Sequence, residues 1–176
     1  MSSSSLWTPS SLTYVPPENP SPKVQTTLAF VEARNVWFSR VASASGVEQM
    51  MSLFDDNLEH RILPQSLGRP VLNKNQYREY VQGLLHYIRD YKLSIHEVIE
   101  SNDDSITMHA SSAGMSVSGA RFTDEYIFIL HFTSSDTTEE LPKITSVKEF
   151  VDSKVTAEFF QEERRRAKLK EQGRHC

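Results

Sequence analysis

The sequence contains a single cysteine, Cys176, at its last position. One cysteine excludes an internal disulfide and any cysteine-based metal cage. No run of apolar residues approaches the roughly 18 residues that a membrane span requires. The first residues also lack the basic start and the apolar core of a secretory signal. We therefore expect a cytoplasmic protein that does not associate with membranes.

The charge balance lacks a basic excess, because 19 Lys and Arg stand against 23 Asp and Glu and give a net charge of −4. Such a chain has no general attraction for nucleic acid, so we expect no nucleic-acid partner. His86, His96 and His109 fall on different predicted elements without the spacing of metal ligands. The sequence therefore predicts no metal site.

The 176 residues, of which 38% are hydrophobic, suffice for one domain with a core. Residues 1–22 are rich in serine and proline and bury too little apolar area to offset their chain entropy. We predict a disordered arm over 1–22, a folded domain over 23–153, and a charged helix and tail over 154–176.

Apolar residues recur at helical spacing in the first half of the chain. Val24, Leu28 and Val31 predict a helix over 24–43, and a shorter helix follows over 47–54. A brief strand over 58–63 ends at a proline. A third helix follows, and its predicted buried side carries Tyr77, Tyr80, Val81, Leu84, Leu85 and Ile88.

From Leu93 onward the apolar period changes from 3.6 to 2, as in strands. The predicted strands are 93–100, 105–112, 115–133 with a kink near Gly119, and 144–152. A final helix covers 155–170. Helices followed by successive antiparallel strands are typical of an α+β domain.

The strand around residue 128 has two different faces, because side chains of a strand alternate. One face carries Glu125, Ile127, Ile129 and His131. The other carries an apolar row: Tyr126, Phe128, Leu130 and Phe132. We predict that the polar face lines a cavity and that the apolar row lies on the outer sheet face, where it forms a homodimer.

Three segments carry a family resemblance: FDDNLEHRILPQSLG at 54–68, DEYIFILHF at 124–132 and KITSVKEFVDS at 143–153. Over about residues 24–153 the chain resembles the SnoaL-like branch of the nuclear transport factor 2-like superfamily. The sequence HRILPQSLG at 60–68 is similar to the corresponding segment of small fungal proteins encoded near secondary-metabolite pathways. The resemblance implies a cone, in which a curved antiparallel sheet wraps around the N-terminal helices and encloses a pocket without a cofactor.

Members of this superfamily include polyketide cyclases, ketosteroid isomerases, dehydratases and non-catalytic modules, so the fold alone does not define a reaction. When the chain is set beside ketosteroid isomerases, their oxyanion tyrosine falls at Trp37 and their general base at Arg61. Neither residue type can perform those roles. Their second acidic residue falls at Glu125, which is chemically compatible.

The candidate catalytic residues are therefore His60, Arg61 and Glu125. A histidine and a buried carboxylate can exchange protons near neutral pH, and Arg61 would stabilise an enolate oxygen. The candidate ligand-binding residues are Trp37, Tyr80, Leu84, His131 and Glu149. Each has a structural alternative: for example, Arg61 can pair with Glu59, and Glu149 can be a surface acid.

These residues predict a cofactor-independent isomerase, cyclase or dehydratase that acts on a hydrophobic polyketide- or terpenoid-derived carbonyl compound. The alternative is a non-catalytic module of the same fold that binds a ligand or a protein. A pocket with several buried titratable groups of shifted pKa favours the enzyme. A pocket filled by its own side chains favours the module.

Overall fold

A computed structural model describes residues 13–39, 44–134 and 140–172. Its helices are α1 (Pro22–Trp37), α2 (Ala44–Ser52), α3 (Lys74–Leu84) and α4 (Ser153–Gln172). Its strands are β1 (Phe54–Leu63), β2 (Ile88–Glu100), β3 (Ser105–Ser116), β4 (Arg121–Phe132) and β5 (Ile144–Val151). The predicted α+β class is confirmed.

The five strands form one curved sheet in the order β1-β5-β4-β3-β2. Strands β2 to β5 are antiparallel neighbours, as predicted. Strand β1 is longer than predicted and pairs in parallel with β5. The predicted kink near Gly119 is a turn. Gly119 has a φ of 92°, a conformation that glycine adopts readily because it has no Cβ. This turn separates β3 from β4.

The third helix ends at Leu84, and β2 begins at Ile88, five residues before the predicted start. Helix α3 begins with a capping box, in which the Asn73 side chain accepts a hydrogen bond from the Gln76 amide and the Gln76 side chain accepts one from the Asn73 amide. Helix α1 begins at Pro22. The preceding Ser21 is its N-cap, because the Ser21 side chain accepts a hydrogen bond from the Val24 amide at 3.2 Å.

The inner face of the sheet packs against α1. The ring of Phe30 on α1 meets Phe54 of β1 and Phe128 of β4 edge to face, with ring centroids 5.9 Å apart in both pairs. This aromatic contact ties the first helix to the centre of the sheet.

The predicted assignment of the two faces of β4 is wrong. The apolar row lies in the core, with exposed fractions of 4% for Tyr126, 0% for Phe128 and Leu130, and 6% for Phe132. Burying each such side chain contributes about 1.5–3 kcal/mol. Turning the opposite row inward would instead bury one acid and one histidine, so the apolar row takes the inner face. The row therefore cannot form a dimer surface.

A buried ionic network joins three elements of this core. Arg34 of α1 donates to Glu149 of β5 at 3.0 Å, and His60 of β1 lies 2.8 Å from the other carboxylate oxygen of Glu149. Arg34 also donates to the hydroxyl of Tyr77 at 3.1 Å, and the Tyr77 ring stacks on His60 with centroids 4.0 Å apart. All four side chains are almost completely buried.

The network keeps two opposite charges inside the core. Burial by itself raises the pKa of Glu149, but Arg34 and His60 outweigh it and bring that pKa to about 2. Burial lowers the pKa of His60, and Glu149 offsets this only in part, so the ring is neutral at pH 7. Because an ionised carboxylate only accepts, the Nε2 atom of His60 must carry the proton.

Part of the predicted N-terminal arm contacts the domain. The amide of Tyr14 donates to the carbonyl of Ile95 on the edge strand β2 at 3.0 Å, and the Tyr14 side chain packs half-buried against the core. Residues 1–12 lie outside the described residues. The arm predicted over 1–22 therefore contacts the folded domain at Tyr14.

Replacing Glu149 by Gln leaves the Arg34 cation in the core without a counter-ion. We expect the free energy of unfolding to fall by about 3–5 kcal/mol near neutral pH. Since the folded-state pKa of Glu149 lies below its ordinary 4.5, its stabilisation is present above that pH and is lost as the pH falls toward about 2. Urea unfolding of the wild type and Glu149→Gln should therefore converge in acid.

Glu48→Gln is the matched control, because Glu48 pairs with Arg78 on the exposed surface. This variant should unfold almost as the wild type does. An equal loss in both variants, or a Glu149→Gln difference that does not depend on pH, would contradict the account of the buried network.

Tyr14→Ala should lower the melting temperature by a few degrees, because it removes a half-buried aromatic ring worth roughly 1 kcal/mol of packing. Val15→Ala is the control, since Val15 is 82% exposed. Thermal unfolding measures both variants. Equal melting temperatures for the two would show that the segment near Tyr14 contributes nothing to the fold.

Candidate functional site

A cavity lies between the inner face of the sheet and the helices α1, α3 and α4. Polar residues in its wall are Arg34, Arg69, Tyr80, Tyr91, Asp124, Tyr126, Glu149 and Thr156. Apolar residues in its wall are Phe38, Ile62, Leu67, Leu84, Ile88, Phe122, Val151 and Phe160. An apolar enclosure with a few convergent polar groups is the usual form of a small-molecule site.

The most distinctive polar group in this wall is Asp124 of β4, which is 7% exposed. One of its carboxylate oxygens accepts bonds from the amides of Glu125 and Asp152, at 2.8 and 3.1 Å. The other accepts a bond from the hydroxyl of Thr156 on α4, at 2.7 Å. Burial raises the pKa of Asp124 to about 6, although these hydrogen bonds oppose the shift.

The Arg34–Glu149 ion pair forms another part of the wall, and His60 touches Glu149 from behind. Burial alone lowers the pKa of Arg34, but Glu149 and the surrounding tyrosines hold it well above its ordinary value. The cavity therefore contains a permanent ion pair beside a carboxyl group that changes its charge near neutral pH. Such a carboxyl group can take up and return a proton under physiological conditions.

Helix α4 forms one side of the cavity. Phe159 packs on Phe122 of β4 with ring centroids 4.6 Å apart, and Phe160 packs on Tyr87 at 5.9 Å. The cavity has a volume of about 30 Å³. A cavity of this volume accommodates a water or two, so a larger ligand requires α4 or the lining side chains to move.

Four of the predicted site residues lie at or beside this cavity. Tyr80 and Leu84 of α3 and Glu149 of β5 line it. His60 is completely buried behind Glu149, and the only hydrogen-bond partner of its imidazole ring in the described part of the chain is that carboxylate. The structure thus brings His60, Tyr80, Leu84 and Glu149 to one region.

The remaining predicted site residues lie elsewhere. Arg61 points away from the core and pairs with Glu59 on the surface at 3.1 Å, because neighbours on a strand face opposite sides and His60 faces inward. Trp37 is 1% exposed and packs inside the core, outside the cavity wall. The expectations that Arg61 and Trp37 line the pocket are wrong.

Glu125 and His131 lie on the outer face of the sheet. Glu125 accepts a bond from His109 of β3 at 2.7 Å, and about half of the Glu125 side chain is exposed. His131 lies near Asp103 at the end of the sheet. Both were predicted to face the cavity, and both expectations fail with the inverted assignment of the strand faces.

The sequence contained signals for the missed residues. Asp124 has the same parity as Phe122, Tyr126 and Phe128, so it is an acid within an apolar row. Arg34 stands three residues before Trp37 and four after Phe30, which makes it a cation on the buried stripe of a helix. Charged residues in such positions are buried only when they are paired or functional.

No cluster of His, Cys, Asp and Glu suited to a metal ion occurs among residues 13–39, 44–134 and 140–172. Within the same ranges, no helix is long and apolar enough to cross a membrane.

No protein-family model matches the chain. Monooxygenase nsrS of Aspergillus novofumigatus is 30% identical over 106 residues, which are 58% of this chain and 67% of that protein. Austinoid biosynthesis cluster protein H of Aspergillus calidoustus is 29% identical over 99 residues, which are 53% of this chain and 67% of that protein.

The fold is similar to that of the BvnE pinacolase from Penicillium brevicompactum. The two structures have a TM-score of 0.66 and 22% identity over 81% of this chain and 90% of BvnE. The strand order, the cavity under α4 and these similarities agree with the resemblance carried by the sequence. The chain belongs to the SnoaL-like branch of the nuclear transport factor 2-like superfamily, among its fungal members of secondary metabolism.

Proposed function

We propose that this chain is a cofactor-independent enzyme that isomerises, cyclises or dehydrates a polyketide- or terpenoid-derived carbonyl compound by general acid-base catalysis. The observation that carries the proposal is Asp124, a buried carboxyl group in the cavity wall with a pKa of about 6. A catalytic acid or base is most effective when its pKa lies near the working pH.

In the proposed mechanism the Asp124 carboxylate removes a proton from the carbon next to a carbonyl group. The electron pair of the broken C–H bond forms the enolate, and the negative charge develops on the carbonyl oxygen. Protonated Asp124 then returns the proton to another carbon, which isomerises the compound, or to a departing β-hydroxyl, which leaves as water. No external oxidant or reductant is consumed.

The Arg34–Glu149 pair supports this mechanism through its fixed charges. Arg34 is held at the wall by Glu149 and Tyr77, so its cation does not need to reorient when an enolate forms. Glu149, with a pKa of about 2, remains ionised and cannot deliver a proton near neutral pH. The two carboxyl groups of the cavity therefore have different roles.

The names of the relatives suggest two kinds of chemistry. BvnE is called a pinacolase, which fits rearrangement of a hydroxylated carbon skeleton. The relative nsrS is called a monooxygenase, and this favours a second candidate reaction. In that reaction Asp124 would deprotonate an electron-rich substrate, and the carbanion would form a C–O bond with O₂. Protonation gives a hydroperoxide, whose O–O bond breaks with loss of water, so one oxygen atom stays on the substrate as a carbonyl and the substrate supplies all the electrons. Oxygen consumption during turnover distinguishes oxygenation from isomerisation, cyclisation and dehydration.

A non-catalytic module remains the alternative, and the small volume of the closed cavity favours it. Several buried groups with shifted pKa values in one wall favour the enzyme. The two functions differ in what they require of Asp124, since a binding module does not need a carboxyl group that titrates near pH 6.

We also propose that the outer sheet face forms a homodimer, with a second copy of this chain as the partner. The exposed apolar residues at the centre of this face include Ile127 and Phe150, which are 38% and 40% exposed. Glu125 and Lys148 flank them with opposite charges, so two copies related by a two-fold axis can place unlike charges together.

Phe150→Glu should convert the homodimer to a monomer, because it places a carboxylate in the apolar centre of the proposed interface. Val15→Glu serves as the control, since Val15 is exposed and belongs to neither β4 nor β5. Sedimentation velocity at micromolar concentration measures both variants. A wild-type monomer, or a Phe150→Glu dimer, would contradict the proposed interface.

Asp124→Asn should reduce turnover by about 10²- to 10⁴-fold, because the amide retains an oxygen for the neighbouring amides but cannot carry the proton. In the wild type, kcat/KM should rise with pH through about 6 and then level off, as the carboxylate form becomes dominant. The assay follows solvent deuterium incorporated beside the carbonyl group of polyketide- and terpenoid-derived ketones.

Glu125→Gln is the matched control, since Glu125 is the next residue and faces the outside. Its turnover should equal that of the wild type. Full activity of a folded Asp124→Asn variant would remove the acid-base mechanism and leave the binding module as the better account.

A further inference from the structure

Tyr91 of β2 lines the cavity and is 5% exposed, yet its hydroxyl has no hydrogen-bond partner among the described residues. Polar interactions with Tyr126 and Arg34 act to lower the pKa of Tyr91, but neither side chain has the distance and angle of a hydrogen bond to that hydroxyl. Tyr126 instead shares a bond with Ser112 at 3.2 Å. A buried hydroxyl without a partner is rare in native proteins and calls for an explanation.

The backbone is shaped to direct this side chain into the cavity. Pairing between β2 and β3 shifts register between Arg89 and Lys92, and Asp90 has a φ of 53°. A bulge of this kind re-aims the side chain beside it. At Gly114 of β3, a Cβ would lie 3.1 Å from the Tyr91 Cα, so any other residue would push the two strands apart by a few tenths of an ångström.

The Tyr91 ring is also held in place. It packs on Phe38 with ring centroids 4.7 Å apart, and the guanidinium carbon of Arg34 lies 5.6 Å from the ring centroid. Arg34 itself has a buried Nε atom without a partner in the described part of the chain. Two preorganised donors are therefore left unused at the same part of the wall.

We propose that the Tyr91 hydroxyl donates a hydrogen bond to a carbonyl oxygen of the bound ligand, with the Arg34 cation next to it. The inference rests on the proposed function and adds an orientation: the carbonyl oxygen faces Tyr91, and the adjacent C–H faces Asp124. As the enolate forms, the electron pair of that C–H bond moves onto the oxygen, where Tyr91 stabilises the charge without losing its proton.

The chemical state of Tyr91 agrees with this role. Burial raises its pKa, so the phenol remains protonated and remains a donor at physiological pH. A donor selects a ligand with an oxygen acceptor over an apolar ligand of the same shape.

Acetophenone and α-methylstyrene test this selection, because they have nearly the same shape and differ by exchange of the carbonyl oxygen for a methylene. Ligand-observed NMR titrations of the full chain measure both dissociation constants. Tyr91→Phe should weaken acetophenone binding by about 3- to 10-fold, as expected for one neutral hydrogen bond, and leave α-methylstyrene binding unchanged. Equal effects on both probes, no effect on either, or no binding of acetophenone to the wild type would overturn the proposal.

Thermal unfolding distinguishes a ligand-binding role from a structural one. Tyr91→Phe removes only a hydroxyl that has no described partner, so its melting temperature should equal or exceed that of the wild type. Tyr77→Phe is the matched control, because its hydroxyl accepts the bond from Arg34, and this variant should melt at a lower temperature. A lower melting temperature for Tyr91→Phe would instead assign the hydroxyl to the fold.

Asp124→Asn separates this proposal from the acid-base mechanism. Because Tyr91 and Arg34, and not Asp124, contact the carbonyl oxygen in this proposal, Asp124→Asn should still bind acetophenone while losing turnover. A fully active Asp124→Asn variant together with selective loss of acetophenone binding in Tyr91→Phe would leave the oxygen site in place and reject the mechanism. Loss of turnover in Asp124→Asn, together with unchanged acetophenone binding in Tyr91→Phe, would reject the oxygen site and leave the acid-base mechanism in place.

Discussion

The buried ion pair between Arg34 and Glu149 is the interaction on which the rest of this structure depends. It joins the first helix to the fifth strand, and through His60 and Tyr77 it also includes the first strand and the third helix. Neither charge could remain in the core without the other. The same pair gives the cavity a cation at a fixed position, so one contact connects the stability of the fold with the electrostatics of the site.

The ion pair also explains why the two carboxyl groups of the cavity behave differently. Glu149 lies beside Arg34 and has a pKa of about 2, whereas Asp124 accepts bonds only from neutral donors and has a pKa of about 6. Burial acts on both, and the cation offsets it for Glu149 alone. Titratable groups whose pKa values are separated in this way are the usual basis for assigning an acid or a base.

Hydrophobic periodicity was sufficient to predict the order of helices and strands and the α+β class. It could not decide which face of β4 points inward, because both alternating rows contain bulky apolar residues and only their summed area settles the question. Extending the row of Tyr126 and Phe128 back to Asp124 would have revealed the buried acid. Contacts between elements distant in sequence, such as Arg34 with Glu149, leave no local pattern and required the fold.

Titration of Asp124 by carboxyl carbon NMR tests the central claim most directly, with Asp124→Asn used to assign its signal. The account predicts a midpoint of about 6, well above the ordinary 3.8 for an aspartate. A midpoint at or below that ordinary value would show that the carboxyl group is ionised at every physiological pH. That result would contradict the claim that Asp124 exchanges protons with a substrate in this cavity.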